Sequence, residues 1–352
     1  MIQRGGAAVV TPGHLHYGPG VMMGGGQERS LDNSTDRVAA VARALAALVD
    51  AGALDLPLPG SGRTRERWSA LAGIAENDLC VGRLAEAHVD ALAVLAELGG
   101  PTPAAGSRWG LWAAHPPAPA LTARVVDGTW LLTGSKPWCS GARACTHALV
   151  SADAPDGYRL FAVDLTHAVP RLGTWSAVGM AGSDSLEVDF PKVAVEAVGG
   201  PGDYLDRPGF WHGAMAVAAC WYGGAVGLAR TLVTAATQRP LGPHALAHLG
   251  AIDASLAALS TGFDAAAALI DADPMDRLGR AEVRAGQLRA QCEQGAVEVL
   301  ERVGRALGAG PLCRDARHAA LAADLPVYLR QSHAESDLAQ LGQIVVERGA
   351  TW

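Results

Sequence analysis

Apolar residues recur at helical spacing in three segments near the start of the chain. These segments span residues 36–51, 66–76 and 79–98. In the third segment Arg83, Glu86 and Asp90 sit three and four positions apart, so they can interact along one helix face. The Gly- and Pro-containing run at 99–107 is typical of a helix end. The pattern therefore predicts a short helical region before residue 108.

After residue 108 the pattern changes to short runs of strand type, in some of which apolar and polar residues alternate. The seven predicted strands span residues 109–114, 121–126, 129–133, 148–151, 159–163, 173–177 and 185–190. Turn residues such as Asp156 and Gly157 separate neighbouring runs. Several short strands at near-regular intervals predict a small β-sandwich or barrel.

Long Ala- and Leu-rich segments fill the rest of the chain. The predicted helices span residues 210–238, 246–271, 277–307 and 317–348, with short Gly- and Pro-containing breaks between them. Four long helices with short links predict an antiparallel four-helix bundle and an α+β fold overall. The predicted organisation is a flexible tail over 1–30, a helical N-terminal domain over 31–107, a central β domain over 108–200 and a helical bundle over 201–352.

Composition narrows the function classes. The net charge of −7 over 352 residues argues against binding to nucleic acid, which needs a basic face. Six cysteines form no CxxC pair, as expected for reduced thiols in a cytoplasmic protein. We predict no signal peptide, no membrane-spanning segment and no metal site, since His14 and His16 sit in a Gly-rich stretch typical of solvated tails.

One segment, TWLLTGSKPWCSG at residues 129–141, combines a strand with candidate chemistry. Trp138 stands two residues before Ser140, which places a flat ring close to a hydroxyl group. That pair suits a wall that stacks against a planar ligand and hydrogen-bonds to it. The alternative is a hairpin whose tryptophan simply packs in the core.

Four stretches in this order resemble the acyl-CoA dehydrogenase family. They are WLLTGSKPWCSGA, VGMAGSDSLEVDFPKVAVEA, QRPLGPHALAHLGAIDASLAAL and RALGAGPLCRDAR, and the resemblance extends over residues 66–345. It implies a short helical N-terminal domain, a central β domain and a C-terminal four-helix bundle, with FAD between the last two. It also implies a homodimer or homotetramer and an electron-transfer partner.

The resemblance assigns cofactor contacts residue by residue. Trp138 matches a tryptophan that packs beside the flavin, and Ser140 matches a hydroxyl that approaches the flavin N5 edge. Arg239 matches an arginine that reaches the FAD diphosphate, often across a subunit interface. The remaining matched positions are Gly242, Gly308 and Gly310.

The sequence departs from the family at two places. The stretch AHPPAPA at 114–120 replaces a Thr-Glu-Pro motif that contacts flavin and substrate, and the position of the usual catalytic Glu falls on Ala323. Asp324 is therefore a candidate base, with a helix-cap or ion-pair role as the alternative. His212 is a second candidate acid or base, with a packed core role as the alternative.

The resemblance thus predicts an FAD-dependent oxidoreductase that oxidises a CH–CH bond of an acyl thioester or a related small molecule. One alternative is a flavin monooxygenase of the same fold, which needs no base for an α-proton. Another is a non-catalytic partner subunit that has kept the fold. The missing Glu favours both alternatives, while Trp138, Ser140 and Arg239 favour a flavin site.

Overall fold

The computed structural model describes residues 26–114 and 121–349, and within the first helix it describes side chains from residue 36 onward. The N-terminal region holds α1 (Gly26–Asp50), α2 (Thr64–Asn77) and α3 (Leu79–Leu98). Asp78 caps α3 by accepting the backbone N–H groups of Cys80 and Val81, and Gly99, at φ 75°, ends it. The three predicted helices are present, but α1 begins inside the predicted tail. The predicted domain boundaries stay predictions.

In the described part of the chain, seven strands form one sheet. They are β1 (Trp109–Trp112), β2 (Thr122–Val126), β3 (Thr129–Cys139), β4 (His147–Ala154), β5 (Gly157–Asp164), β6 (Val169–Arg171) and β7 (Leu186–Val198). The order is β1-β4-β2-β3-β7-β5, and β5 pairs back onto β4, so five strands close into a small barrel. The strand β1 lies parallel to β4, and β6 extends the sheet beside β7.

The strand predicted over 173–177 is wrong. Thr174 and Trp175 use their side chains within the loop instead, with Thr174 Oγ1 donating to Arg171 O at 2.7 Å and Trp175 Nε1 donating to Met180 O at 3.0 Å. The strand β3 is longer than predicted, because two irregularities in its pairing with β7 let it run on to Cys139.

The C-terminal region is helical. It comprises α4 (Asp203–Asp206), α5 (Gly209–Gln238), α6 (Pro243–Ala272), α7 (Ala281–Leu307), α8 (Gly310–Arg314), α9 (Ala316–Tyr328) and α10 (Glu335–Arg348). The single helix predicted over 317–348 is broken, because the chain turns after Tyr328 and Ala334 adopts φ 49°. Arg302 on α7 approaches His248 on α6 at 3.5 Å, and Cys292 Sγ on α7 donates to Ala218 O on α5 at 3.1 Å. Arg289 Nη1 on α7 also donates to Ala214 O at 2.9 Å, and Gly295 on α7 faces Leu259 on α6. Together these contacts show that α7 runs antiparallel to α6 and parallel to α5.

The helices α5 and α6 are both long and apolar enough to cross a membrane, judged by length and composition alone. They differ in burial, since 67% of the most apolar window of α5 is buried inside the protein and only 17% of that of α6. Two glycines let α5 approach α2 closely, because a Cβ at Gly223 would lie 2.2 Å from Ala72 O and one at Gly227 would lie 2.4 Å from Glu76 O. Thus α5 is a core helix, while α6 keeps an apolar outer face.

A buried histidine connects α3 to the barrel. The backbone N–H of Trp109, the first residue of β1, donates to His88 Nδ1 at 3.1 Å. Burial lowers the pKa of His88 from 6.5 to about 4, so the ring stays neutral and its Nδ1 stays an acceptor at neutral pH. Protonation would convert that acceptor into a donor and break the link.

We expect His88 to make the protein acid-sensitive. Because its folded-state pKa is lower than its unfolded-state value, the stability it contributes is present above pH 6.5 and is lost as pH falls towards 4. The shift corresponds to about 3 kcal/mol of unfolding free energy. Urea denaturation of wild type and His88→Asn at pH 7.5, 5.5 and 4.5 checks this, since asparagine can accept the same N–H but does not titrate. Identical pH profiles for the two proteins would contradict it.

Candidate active site between the barrel and the helices

A cavity of about 1420 Å³ lies between the barrel, α3, α5, α7 and α10. Its walls are rich in aromatic rings contributed by separate elements. These rings belong to Trp112, Trp138, Trp175, Tyr204, Phe210, Trp211 and Tyr328. Apolar surface outweighs polar surface in the lining, which is typical of a site for a small organic ligand.

Trp138 presents its ring at this cavity in an unusual backbone conformation. It has φ 60°, in the left-handed region that bulky residues rarely adopt, and 55% of the residue's surface is exposed. The irregular pairing between Lys136 and Cys139 turns the strand at this point. A large exposed ring held in a costly conformation indicates a ligand-contacting role, because strain of this kind collects at functional sites.

Three serines that line the cavity form a chain of hydroxyl groups. Ser140 Oγ lies 2.8 Å from Ser185 Oγ, Ser185 Oγ lies 2.8 Å from Ser183 Oγ, and Ser183 Oγ donates to Met180 O at 2.7 Å. Each hydroxyl has one proton, so all three hydrogen bonds form only if Ser183 donates to Met180 O, Ser185 donates to Ser183 and Ser140 donates to Ser185. Ser140 therefore donates to Ser185 and offers its lone pairs to the cavity.

The inner end of the cavity is polar and comes from α3. Glu86 and Asp90 lie one helical turn apart, and both line the cavity while being almost fully buried. Arg83 Nη1 donates to Glu86 Oε2 at 2.7 Å. Burial raises the pKa of Glu86 to about 7, and the charge of Asp90 acts in the same direction against the guanidinium of Arg83. Glu86 can therefore exchange a proton near neutral pH.

The three arginines that line the cavity among the described residues are already engaged. Arg83 pairs with Glu86, and Arg330 pairs with Glu293. Arg289 donates to Ala214 O at 2.9 Å and to Gln331 O at 3.0 Å, and its guanidinium stacks 4.7 Å from the centroid of Trp221. The cavity thus offers a ligand aromatic faces and hydrogen-bond acceptors rather than unengaged positive charge.

Asp324, the candidate base, does not line the cavity. It is 2% exposed and accepts Arg37 Nη2 at 2.6 Å and the backbone N–H of Met180 at 2.5 Å. Burial raises its pKa, and the charge of Arg37 opposes that shift. The side chain connects α1 to α9 and to the turn that carries the serine chain, which is the ion-pair alternative of the sequence analysis.

Asp78 and Cys80 lie beside Asp324, and ligand atoms of the three fall within 4.8 Å of one another, close enough to hold a metal ion. Arg37 already occupies this cluster, with Nη1 3.7 Å from Asp78 Oδ2 and Nη2 2.6 Å from Asp324 Oδ2. The guanidinium supplies the positive charge that a metal would bring, so we interpret the group as a structural ion-pair cluster.

His212, the second candidate, also points away from the cavity. Its neighbours Trp211 and Gly213 line the cavity, whereas His212 is buried elsewhere on α5. Burial lowers its pKa, against the charges of Glu97 and Asp276. This surrounding agrees with the packed-residue alternative and gives no route to a ligand in the cavity.

Four predicted cofactor residues lie at the far end of the bundle. Arg239 follows α5, Gly242 precedes α6, Gly308 follows α7 and Gly310 begins α8. Because α5 and α7 run parallel and α6 runs back, these ends meet on one side. The cavity residue furthest along α5 is Val217, so Arg239 lies about 33 Å beyond it. These residues cannot reach the cavity of their own chain.

Several residues of the cavity are not among the predicted site residues. The spacing of Glu86 and Asp90 predicts only contacts along a helix face, although charges inside the otherwise apolar α3 are a usable signal of a buried polar site. Ser183, Ser185 and Arg289 also line the cavity and are not predicted from the sequence. For these residues spacing along the chain carries no signal, because the contacts that matter join distant elements.

We expect Asp324 to act on stability rather than on chemistry. Asp324→Asn removes the charge that compensates the partly buried Arg37, so the unfolding free energy should fall by about 2–3 kcal/mol. Urea denaturation of Asp324→Asn, Arg37→Gln and the double variant checks this, and the double variant should lose less than the sum of the two single variants. A stable Asp324→Asn protein that binds its ligands but has lost all turnover would instead restore the base role.

No family model matches this chain, and no curated protein sequence matches it. In contrast, several solved structures are similar to the fold of this chain. Dibenzothiophene monooxygenase TdsC from Paenibacillus sp. A11-2 superposes with TM-score 0.70 at 19% identity, covering 90% of this chain and 97% of that one. Methanesulfinate monooxygenase MsuC from Pseudomonas fluorescens gives 0.69 at 16%, covering 89% and 96%.

A third structure, 3-HSA hydroxylase from Rhodococcus sp. RHA1, gives TM-score 0.69 at 16% identity, covering 91% of this chain and 97% of that one. TdsC has also been crystallised with FMN and indole. At these identities the likeness establishes the fold and not the activity. The chain has the acyl-CoA dehydrogenase-like fold, with a small β-barrel and a helical C-terminal region, as the sequence predicts.

Proposed function

We propose that this protein is a flavin-dependent monooxygenase that acts on a small aromatic or apolar substrate. The observation that carries the proposal is one cavity that joins the strained, exposed ring of Trp138 to the Ser140 hydroxyl chain, while the carboxylate of Asp324 lies outside it. The three similar structures named above are a dibenzothiophene monooxygenase, a methanesulfinate monooxygenase and a 3-HSA hydroxylase, which supports the same choice among enzymes of this fold.

The residues present fit the ring system of a flavin. Trp138 offers a face of matching size, and the cavity volume leaves room for a substrate beside a tricyclic ring. The resemblance implies FAD, but we propose FMN, because the arginines in the cavity are engaged. The one phosphate of FMN then depends on Arg239 of a second copy, as argued below, and a second phosphate would need a further cation. The FMN complexes of TdsC are in line with that choice.

The serine chain favours a monooxygenase over a dehydrogenase. A bound reduced flavin would supply two electrons to molecular oxygen, so that one oxygen atom enters the substrate and the other leaves as water. The reduced ring carries an N–H at the position where the oxidised ring carries only a lone pair. Ser140 keeps every bond of its chain when it accepts an N–H from the cavity, so it favours the reduced ring.

In this proposal the remaining lining residues exclude water and handle protons. Trp112, Trp175 and Trp211 close the walls around a bound substrate. Glu86 has a pKa of about 7, so both its protonated and its ionised form are populated near neutral pH. It can therefore take up or release a proton at the inner end of the cavity. We expect a separate reductase to supply reduced flavin, as the electron-transfer partner of the sequence analysis.

A second candidate is the dehydrogenase reaction, and Glu86 is the observation that favours it. Its carboxyl group lines the cavity and ionises near pH 7, so it could take an α-proton in place of the missing family Glu. Anaerobic bleaching of bound flavin by an acyl thioester would support this candidate. Oxygen consumption that requires reduced flavin would support the monooxygenase.

We expect the purified protein to bind FMN with a 1:1 stoichiometry and to consume oxygen only when a flavin reductase and NADH are added. Trp138→Asn should weaken FMN binding tenfold or more, because it removes the stacking ring while asparagine tolerates positive φ. Trp138→Phe keeps a ring and should retain most of the affinity. Absorbance-monitored equilibrium dialysis measures both, and unchanged FMN affinity in Trp138→Asn would contradict the ligand-wall role.

We further propose that the chain forms a homodimer or homotetramer in which the Arg239 end of one copy approaches the cavity of another. The outer face of α6 is apolar and little buried, and it carries small residues such as Ala254, Ala257 and Ala258 that permit close helix packing. Arg239 lies at the far end of the bundle, about 33 Å along α5 from the cavity residue Val217, and this position favours a contact with the cavity of another copy.

Arg239→Ala should therefore weaken FMN binding about tenfold without changing the oligomeric state, because one charge-assisted bond to phosphate is lost. Arg63→Ala, which removes an exposed arginine paired with Glu66, serves as the matched control and should leave FMN affinity unchanged. Dialysis and sedimentation velocity together provide the test. A monomer, or equal FMN affinity in wild type and Arg239→Ala, would overturn the subunit arrangement.

A further inference from the structure

We propose that Asp90 is the substrate-anchoring group of the cavity and that it takes the N–H or amino group of an aromatic ligand. This inference rests on the proposed function only in placing the substrate in the same cavity. Asp90 is 6% exposed, lines the cavity, and has no hydrogen-bond partner among the described residues. A buried carboxylate without a donor is costly and rare in folded proteins, so its position indicates a missing ligand contact.

The helix that faces Asp90 makes room for this carboxylate. A Cβ at Gly213 on α5 would lie 2.7 Å from Asp90 Oδ1 and 2.8 Å from Oδ2, so only glycine fits opposite the group. Two nearby arginines help to stabilise its charge without a hydrogen bond to it. Arg207 Nη1 donates to Glu97 at 2.7 Å and Arg67 Nη1 donates to Pro57 O at 3.2 Å, while Arg207 Nε and Arg67 Nε and Nη2 are buried and bond to no described residue. None of these donors bonds to Asp90, so its carboxylate oxygens remain available to a ligand.

The surroundings of Asp90 select the kind of ligand. Phe210 and Trp211 lie one turn or less before Gly213, and Tyr204 packs edge-on against Phe210 with centroids 5.6 Å apart. These rings surround a flat or apolar body. The end of the ligand that meets Asp90 must be a donor, because an ionised carboxylate can only accept hydrogen bonds.

The charge of the cavity favours nitrogen over oxygen as the donor atom. Six acidic side chains line the cavity among the described residues, against three arginines that are all engaged. A phenol that lost its proton would place a second anion beside Asp90 and Glu86. An amine or an N–H heterocycle is neutral or positive, so the same charges stabilise it.

Indole and benzofuran test this directly, since they share a bicyclic shape and differ in having N–H or ring oxygen. We expect wild type to bind indole about tenfold more tightly than benzofuran by isothermal titration calorimetry, because a bond to a charged acceptor is lost in benzofuran. In Asp90→Ala the two affinities should become equal through loss of indole affinity alone. Asp127→Asn, in the exposed β2–β3 hairpin turn, is the matched control and should keep the preference.

Asp90→Asn keeps the shape of the side chain and provides the test if Asp90→Ala fails to fold. In this variant the preference for indole over benzofuran should fall to about threefold. Equal binding of both probes by wild type, or a preference that survives in the Asp90 variants, would overturn the inference. The titrations are run with and without FMN. A preference that depends on Asp90 in a protein that takes up no FMN would refute the flavin proposal and leave this one standing. FMN binding by a wild-type protein that shows no preference for indole would refute the role of Asp90 and leave the flavin proposal standing.

Discussion

Helix α3 carries Glu86, His88 and Asp90 at positions that are almost completely buried, and much of the fold is arranged around that constraint. Ionisable groups leave water at a high cost unless they find partners or change protonation. His88 stays neutral and accepts the first N–H of β1, which fixes the barrel against the helix. Glu86 finds Arg83, and only Asp90 is left without a donor. One helix thus both attaches the barrel and supplies the polar end of the cavity.

The fold class follows from sequence because local signals agree with tertiary structure over most of the chain. Helical periodicity and Gly or Pro breaks mark α2, α3, α5 and α7 to within a few residues. Predictions failed where a single backbone angle decides the path, as at Ala334, or where side chains replace ladder bonds, as at Thr174 and Trp175. Neither an unusual backbone angle at one residue nor side-chain bonds within a loop change the spacing of apolar residues along the sequence.

The candidate site could be predicted only in part. Trp138 and Ser140 are two residues apart in the sequence, so one motif carries both of them to the cavity wall. Asp324 could not be judged from spacing, because its partner Arg37 stands 287 positions away and joins it only in the folded state. Arg239 and the three glycines lie together at the far end of the bundle because α5 and α7 run parallel and α6 runs back between their ends. Their separation from the cavity of the same chain is the reason that the proposed contact of Arg239 with the cofactor involves a second copy.

The polar groups of the cavity also bear on the acyl thioester expected from the resemblance. Ser140 and Asp90 are acceptors that line the cavity, and its three arginines are engaged in ion pairs or carbonyl contacts. A thioester carbonyl is itself an acceptor, and coenzyme A adds several phosphate charges, so such a substrate is less well matched to the six acidic side chains of the lining. In the proposed arrangement a nitrogen-bearing aromatic molecule supplies the donor that Asp90 lacks, while Ser140 accepts from the flavin. The charge pattern of the cavity therefore supports the proposed aromatic substrate over an acyl thioester.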